Sequence, residues 1–361
     1  MGKARIWATA LLLSALASAC GPGGGTRTIK LAHGLDVKHS VHLAMVEMGR
    51  ELDSVSGGRL RLQIYPNQQL GSERESLELL QIGSLDMTKV SSGVMENFAP
   101  RMKVFGLPFL FRDREHSFAV LDGPIGQGLL EDAGRYWLKG LAYYDAGSRS
   151  FYTKERPVRS PADLEGLKVR VMESATAMDM VRAMGGSPTP ISWGELYTSL
   201  QSGVVDGAEN NPPSFHLSGH YEICKYYTLD EHTVLPDVLL VSTHLWERLS
   251  EQERGWLQGA ARRSVANQRG LWAEAEREAR EEVQRAGVEL IYPEKAPFEE
   301  AMQGIYYFQF LLLFVHFFND PCKTVKGTIG HFNRFINIEG NIDFFSILGK
   351  LIDLTQDAIN L

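Results

Sequence analysis

Lys168-Val169-Arg170-Val171 places a cation at every second position of an apolar run. Period-two alternation puts Val169 and Val171 on one face of a strand and Lys168 and Arg170 on the other. A guanidinium at the end of such a strand can give a carboxylate two parallel charge-assisted hydrogen bonds. On a sheet edge the same residue is simply exposed. Arg149, in Gly147-Ser148-Arg149-Ser150, offers the same chemistry with the same alternative. Downstream, Val204-Val205-Asp206-Gly207-Ala208-Glu209-Asn210-Asn211-Pro212-Pro213 runs from an apolar strand into two amides. The double proline stops the strand from continuing. Asn210 and Asn211 carry paired donors and acceptors that suit carboxylate or hydroxyl recognition, and equally the capping of a polar turn.

Other chemistries are missing from the sequence. There is no GxxxxGK[ST] phosphate loop, and Gly126-Gln127-Gly128 lacks the third glycine of a dinucleotide fingerprint. Neither HExxH nor GxSxG occurs. His39-Ser40-Val41-His42 and His216-Leu217-Ser218-Gly219-His220 have spacings a metal could use, but no cysteine or general-base glutamate accompanies them. Glu281-Glu282 and Glu299-Glu300 lie in charged helical stretches and read as solvated faces. No cofactor and no metal are expected.

The elements that must position these residues fit a chain of 361 residues, long enough for two domains. Hydrophobic residues make up 44% and charged residues 22%, ordinary for a globular protein. Forty-four acidic against 37 basic residues give a net charge of -7, which argues against nucleic-acid binding. Three cysteines are too few for a disulfide scaffold, so the fold rests on apolar burial.

Residues 1–19 read as a secretory signal peptide: Lys3 and Arg5, an uncharged run from Ile6 to Ala19, then small residues before Cys20. The run is 14 residues, short of the roughly 17–25 needed to span a bilayer. Cys20 resembles the lipidated first residue of a bacterial lipoprotein; the other reading is an ordinary cleaved signal. Residues 20–28, with Gly21-Pro22-Gly23-Gly24-Gly25, then form a lipid-anchored flexible linker. Removing the signal leaves 35 cations against 44 acidic residues, a charge of -9. Cys224 and Cys322 would then meet an oxidising compartment that permits a disulfide.

Ile29–His33 and Leu60–Tyr65 alternate as half-buried strands. Between them Val41, Met45, Met48 and Leu52 mark an amphipathic helix that ends at Gly57-Gly58. A helix over Ser72–Ile82, with Leu77, Leu80 and Ile82 inward, and a strand at Asp86–Val90 complete a β-α-β-α-β order, hence parallel strands. The grammar restarts with strands at Leu141–Tyr144, Arg149–Thr153 and Leu167–Met172, a helix at Ala175–Met184 and an extended piece at Pro188–Pro190. A helix at Trp193–Leu200 and strands at Val204–Glu209 and Val238–Thr243 follow. Glu251–Ala286 reads as one long charged helix interrupted by Gly255, Gly259 and Gly270. Two α/β units joined by extended segments imply two lobes with a ligand cleft between them. Residues 305–361 form an atypical C-terminal segment. They hold nine of the seventeen Phe and a single Ala and Arg, and read as a buried core helix or as a graft or frame change.

Several motifs together carry a resemblance. They are Leu70-Gly71-Ser72-Glu73, Gly83-Ser84-Leu85-Asp86-Met87, Leu107-Pro108-Phe109-Leu110-Phe111, Leu167-Lys168-Val169-Arg170, Glu195-Leu196-Tyr197 and Gly203-Val204-Val205-Asp206-Gly207-Ala208-Glu209-Asn210. In this order the chain resembles, over roughly residues 29–300, the solute-binding proteins of tripartite ATP-independent periplasmic (TRAP) transporters. Glu209-Asn210-Asn211-Pro212-Pro213-Ser214-Phe215 followed by His220-Tyr221-Glu222 is similar to the branch that binds hexuronates. The resemblance implies an α/β, two-lobed periplasmic binding protein fold with hinge strands and a long lobe-spanning helix. Lobe 1 would take residues 29–148 with part of 238–285, and lobe 2 residues 149–237 with part of 286–304. It puts the carboxylate clamp on Arg170, its supporting arginine on Arg149 and the strand-end asparagine on Asn210. His33, Glu73 and Asn211 match further positions that reach the ligand, and Trp193 or Tyr197 could cover a sugar face or belong to the core.

The expected activity is capture of a sugar acid in the cleft, closure of the lobes, and delivery to TRAP membrane permease subunits, with no covalent turnover. The membrane is reached through the N-terminal lipid anchor in the periplasm. Dicarboxylates remain open because Lys168, Arg149 and Arg170 supply several cations. A secreted sugar-acid lyase would instead need a general base paired with a tuned acid, and none can be nominated.

Overall fold

The computed structural model describes residues 25–306. Among the described residues eleven strands form two sheets. They are β1 (Arg27–Ala32), β2 (Leu60–Tyr65), β3 (Met87–Ser91), β4 (Leu138–Tyr144), β5 (Arg149–Thr153), β6 (Lys168–Val171), β7 (Ser187–Pro190), β8 (Gly207–Asn210), β9 (Tyr226–Thr233), β10 (Asp237–Ser242) and β11 (Glu289–Ile291). The first sheet runs β2-β1-β3-β10-β4 and the second β11-β9-β5-β8-β6-β7. β1 pairs in parallel with β2 and β3, as its crossover helices require, while β10 arrives antiparallel to β3 and β4. The result is the mixed α/β, two-lobed architecture expected from the sequence.

The first lobe follows its hydrophobic periodicity closely. The helix Ser40–Val55 buries Val41, Met45, Met48 and Leu52. The helix Glu73–Gln81 is capped by Ser72, whose Oγ accepts from Glu75 N while the Glu75 carboxylate accepts from Ser72 N. Leu77 and Leu80 are buried, but Ile82 is 69% exposed, because the helix stops at Gln81 and Gly83 turns the chain with φ 73°.

The second sheet departs from the sequence reading in several places, among them the edge strand β11, which that reading lacks. β8 begins at Gly207 rather than Val204; Gly203, with φ 75°, turns the chain there and leaves Val204 exposed. The strand runs on through Asn210. The piece from Trp193 begins as a single 3₁₀ turn, Trp193–Glu195, before the helix Leu196–Gln201. β9 was hidden in the sequence because it buries Asp230 and His232 among its apolar residues. Alternation cannot flag a strand whose polar side chains also point inward.

The chain crosses between the sheets at 145–148 and again at 234–236. A 35-residue helix, Glu251–Arg285, braces the two sides. Its start is fixed by Ser250 Oγ accepting from Glu253 N and the Glu253 carboxylate accepting from Ser250 N. Leu257, Ala260, Ala261 and Trp272 pack into the first-lobe core with Ile29, Met45 and Tyr144. Val283 packs into the second with Tyr152, Phe215 and Tyr227. Gly255, Gly259 and Gly270 do not break it. A helical glycine costs about 1 kcal/mol relative to alanine, and burial of the opposite face at both ends outweighs that. Ile305 and Tyr306 pack into the second-lobe core. The signal and anchor readings, Cys322 and the remainder of the 305–361 segment lie outside the described residues. Cys224 is a buried thiol.

Candidate functional site

A cleft of about 720 Å³, counting its open mouth, lies between the two sheets. β3 and β10 bring Lys89, Ser91 and Asp237 to it from the first lobe, and the cap of Glu73–Gln81 brings Ser72 and Glu73. β5, β6 and β8 bring Arg149, Arg170 and Asn210 from the second, with Asn211 and Ser214 at the start of the helix Pro212–Leu217. Ile191, Ser192 and Trp193 form one rim. Ala146, Leu235 and Trp272 line it from the crossings and the long helix.

The two arginines, equivalent in the sequence, differ in the structure. Arg149 is 6% exposed and fully engaged. Its Nη1 donates to Asn210 Oδ1 at 2.8 Å, its Nη2 to the backbone oxygen and Oε1 of Glu209 at 2.8 and 2.9 Å, and its Nε to the same carboxylate. Behind it His232 Nδ1 lies 2.8 Å from Asp230 and Nε2 lies 3.6 Å from Glu209. Burial disfavours every charge here, yet the partners outweigh it. Asp230 and Glu209 raise His232 to about 9, and Arg149 and His232 hold Glu209 near about 2.

Arg170 is 3% exposed and has no ion pair among the described residues. Its Nε donates to Ile191 O at 2.8 Å, and its guanidinium lies 5.9 Å from the Trp193 ring. Both Nη atoms have no partner among the described residues. Burial outweighs the opposing pull of Tyr152 and of the more distant Glu209 and Glu73, and holds its pKa below the ordinary arginine value. Asn210 Oδ1 also accepts from Asn211 N at 2.9 Å, and Asn211 Oδ1 caps its helix through Ser214 N at 2.9 Å. Both amide nitrogens stay without partners among the described residues.

The opposite wall carries the reverse charge. Lys89, 2% exposed, sits 3.2 Å from Glu73 and 3.1 Å from Asp237. Burial works against its charge, but the two carboxylates raise its pKa, while burial raises that of Asp237. Two carboxylates share one ammonium. His39 Nδ1 accepts from Val41 N at 3.2 Å, so Nε2 carries the proton facing Ser214 Oγ at 3.4 Å across the cleft. Burial, reinforced by Lys89 and His42, lowers His39 to about 3 and keeps it neutral.

Of the residues expected from sequence, Arg170, Arg149, Asn210, Asn211, Glu73 and Trp193 line one cleft. His33 does not. It closes β1, and its Nε2 meets His42 Nδ1 at 2.9 Å beneath the cleft wall while its Nδ1 accepts from Leu35 N. Its neighbours Gly34 and Leu35 take the lining place. Tyr197 faces away and donates to Glu222 at 3.0 Å. Lys168 is exposed at the far end of β6, so the cations of the cleft are Arg149, Arg170 and Lys89. Lys89, Asp237, Gln68 and Trp272 were missed. Lys89 lies within the expected strand Asp86–Val90, but only the arrival of β10 supplies Asp237, its second partner beside Glu73. No cluster of three or more potential metal ligands occurs among the described residues.

Residues 31–311 match the family model of the bacterial extracellular solute-binding proteins, family 7. A solute-binding protein of Chromohalobacter salexigens is 38% identical over 264 residues, covering 73% of this chain and 79% of that one. The structure of a TRAP periplasmic solute-binding protein from Bradyrhizobium sp. BTAi1, in complex with α/β-D-galacturonate, is 42% identical with a TM-score of 0.75. It covers 78% of this chain and 94% of its own. A TRAP solute-binding protein from Pseudomonas putida F1 with bound D-glucuronate is 36% identical, with a TM-score of 0.77, and covers 82% and 98%. With a family match across most of its length and a cleft between two lobes, the chain belongs to the family 7 extracellular solute-binding proteins of TRAP transporters.

Proposed function

We propose that this protein captures a hexuronate, with Arg170 as the clamp for its carboxylate. The observation that carries the reading is the contrast between the arginines: Arg149 is neutralised by Glu209, whereas Arg170 is buried with both Nη donors free among the described residues. A buried guanidinium without a counterion costs several kcal/mol, and an incoming carboxylate supplies the missing charge. Asn210 and Asn211 Nδ2, Gln68 Nε2 and Trp272 Nε1 offer neutral donors around it, the last two buried without partners among the described residues. Such donors suit sugar hydroxyls and ring oxygen. Related structures hold galacturonate and glucuronate, which have this combination of one carboxylate and several hydroxyls.

The Lys89 wall favours a ligand with a single carboxylate, because a second would meet Glu73 and Asp237. Delivery would be to TRAP permease subunits, and attachment to the membrane through lipidated Cys20. The lipid is tested by radiolabelled palmitate incorporation into wild type and Cys20→Ala. Calorimetry with D-glucuronate and D-galacturonate tests the main reading: saturable one-to-one binding with the sugar recovered unchanged is expected. Heat that tracks product formation, or no binding to either acid, would overturn it.

A further inference from the structure

Gln68 belongs to the first lobe and reaches the second. Its backbone and that of Asn67 lie in the left-handed region, with φ 57° and 54°. Side chains other than glycine adopt this conformation at a cost of roughly 1–2 kcal/mol each. The loop is held there by Asn67 N donating to Leu35 O and Gln68 N to His33 O, both at 3.1 Å. The side chain runs past Gly34, where an added Cβ would sit 3.3 Å from Gln68 Cγ. Its Oε1 accepts from Gly194 N across the cleft at 3.1 Å. A Cβ on Gly194 would lie 2.3 Å from that oxygen, so any larger residue there would push the Gln68 amide out of this position.

Because Gly194 offers an N–H, the amide must turn its oxygen outward and its nitrogen inward. That nitrogen, Nε2, belongs to a side chain that lines the cleft and is buried with no hydrogen-bond partner among the described residues. Buried amide donors are normally satisfied, and one left open at a binding cleft is a place for a ligand acceptor. Gly194 also follows Trp193, the ring beside Arg170, so the same contact fixes that rim over the cleft.

We infer that Gln68 couples capture to closure: Oε1 latches the Trp193–Gly194 turn of the second lobe, and Nε2 donates to a neutral oxygen of the ligand. One planar amide makes both bonds, so each orients the group for the other. The inference deepens the hexuronate reading and rests on it. Gln68 is a positioning residue for the lobes as well as a ligand contact.

Calorimetry and stopped-flow fluorescence with D-glucuronate and D-galacturonate test it on wild type, Gln68→Met, Gly194→Ala and the double variant. Gln68→Met keeps the length and loses both polar ends. Its affinity should fall about 10- to 100-fold, mostly through faster dissociation. Its ligand-free melting temperature should stay within about 2 °C of wild type, as for a replacement away from the core. Gly194→Ala should lose a similar factor. The double variant should be no weaker than the weaker single, since both remove one contact. Near-normal affinity of Gln68→Met, or losses that multiply in the double variant, would overturn the coupling while wild type still binds. A wild-type protein that binds neither acid defeats the ligand reading itself, and the inference falls with it.

Discussion

Arg149 and Glu209 hold each other on neighbouring antiparallel strands: the Nη2 of the arginine donates to both the backbone oxygen and Oε1 of the glutamate, at 2.8 and 2.9 Å. The pair lies beside the cleft yet leaves no charge for it. Arg170, on the other side of β8, has no such partner among the described residues and faces the same space. Two cations close in position therefore differ in their surroundings, one ion-paired at the strand end and the other without a carboxylate partner among the described residues.

Arg170→Met should weaken hexuronate binding by about 2–5 kcal/mol, roughly 30-fold to several thousand-fold. It should not reduce ligand-free stability, because it removes a buried charge that has no counterion. Calorimetry and urea unfolding on one preparation read both effects. A variant that binds normally would exclude Arg170 as the clamp.

Glu209→Gln should behave in the opposite sense. It leaves Arg149 and His232 buried without their shared carboxylate, at an expected cost of about 3–5 kcal/mol in unfolding free energy. Urea denaturation followed by circular dichroism measures it. A change below about 1 kcal/mol would mean that the network contributes little to the fold.

Stability should depend on pH from both sides. The folded pKa of His232 is raised to about 9 against about 6.5 for a free imidazole. The folded state therefore holds its proton more tightly, and this contribution is complete below about pH 6.5 and lost as pH rises through about 9. His39 and His220 are lowered to about 3 by burial, so acidification below about pH 6.5 protonates them first in the unfolded chain and favours unfolding. Unfolding free energy should thus peak near neutrality. In His232→Gln the alkaline decline between about pH 6.5 and 9 should flatten while the acid limb persists. An unchanged alkaline limb would remove His232 as its source.

Lys89 serves Glu73 and Asp237 at once, leaving that wall with a surplus of negative charge. A hexuronate should bind more tightly than the corresponding dicarboxylic sugar acid by at least about 10-fold, since a like charge at that wall costs over 1 kcal/mol. Asp237→Asn should narrow the gap chiefly by improving the dicarboxylate. A thermal-shift titration with both acids compares them. Equal affinities in wild type would show that the wall does not select.

Alternation and helical periodicity were enough to place β2 and β5 at their observed bounds and to find the amphipathic helix beginning near Val41. These patterns are local: they record which side of one element is buried. The strand carrying Arg170 and the amide pair before Pro212 were legible for the same reason, since residue type and chain direction fix them together. Tertiary structure decided the rest. Lys89 meets Asp237, 148 residues away, only because β10 inserts beside β3. Which arginine is neutralised depended on Glu209 lying on the strand between Arg149 and Arg170. Gln68 looks like an ordinary loop residue until Gly194 of the other lobe stands opposite it. His33 went the other way, drawn from the cleft by His42 on the helix beneath. A sequence states what each side chain can do, whereas its partner is set by packing between segments far apart in the chain, and in a buried site the partner decides whether a charge is already satisfied or left for a ligand.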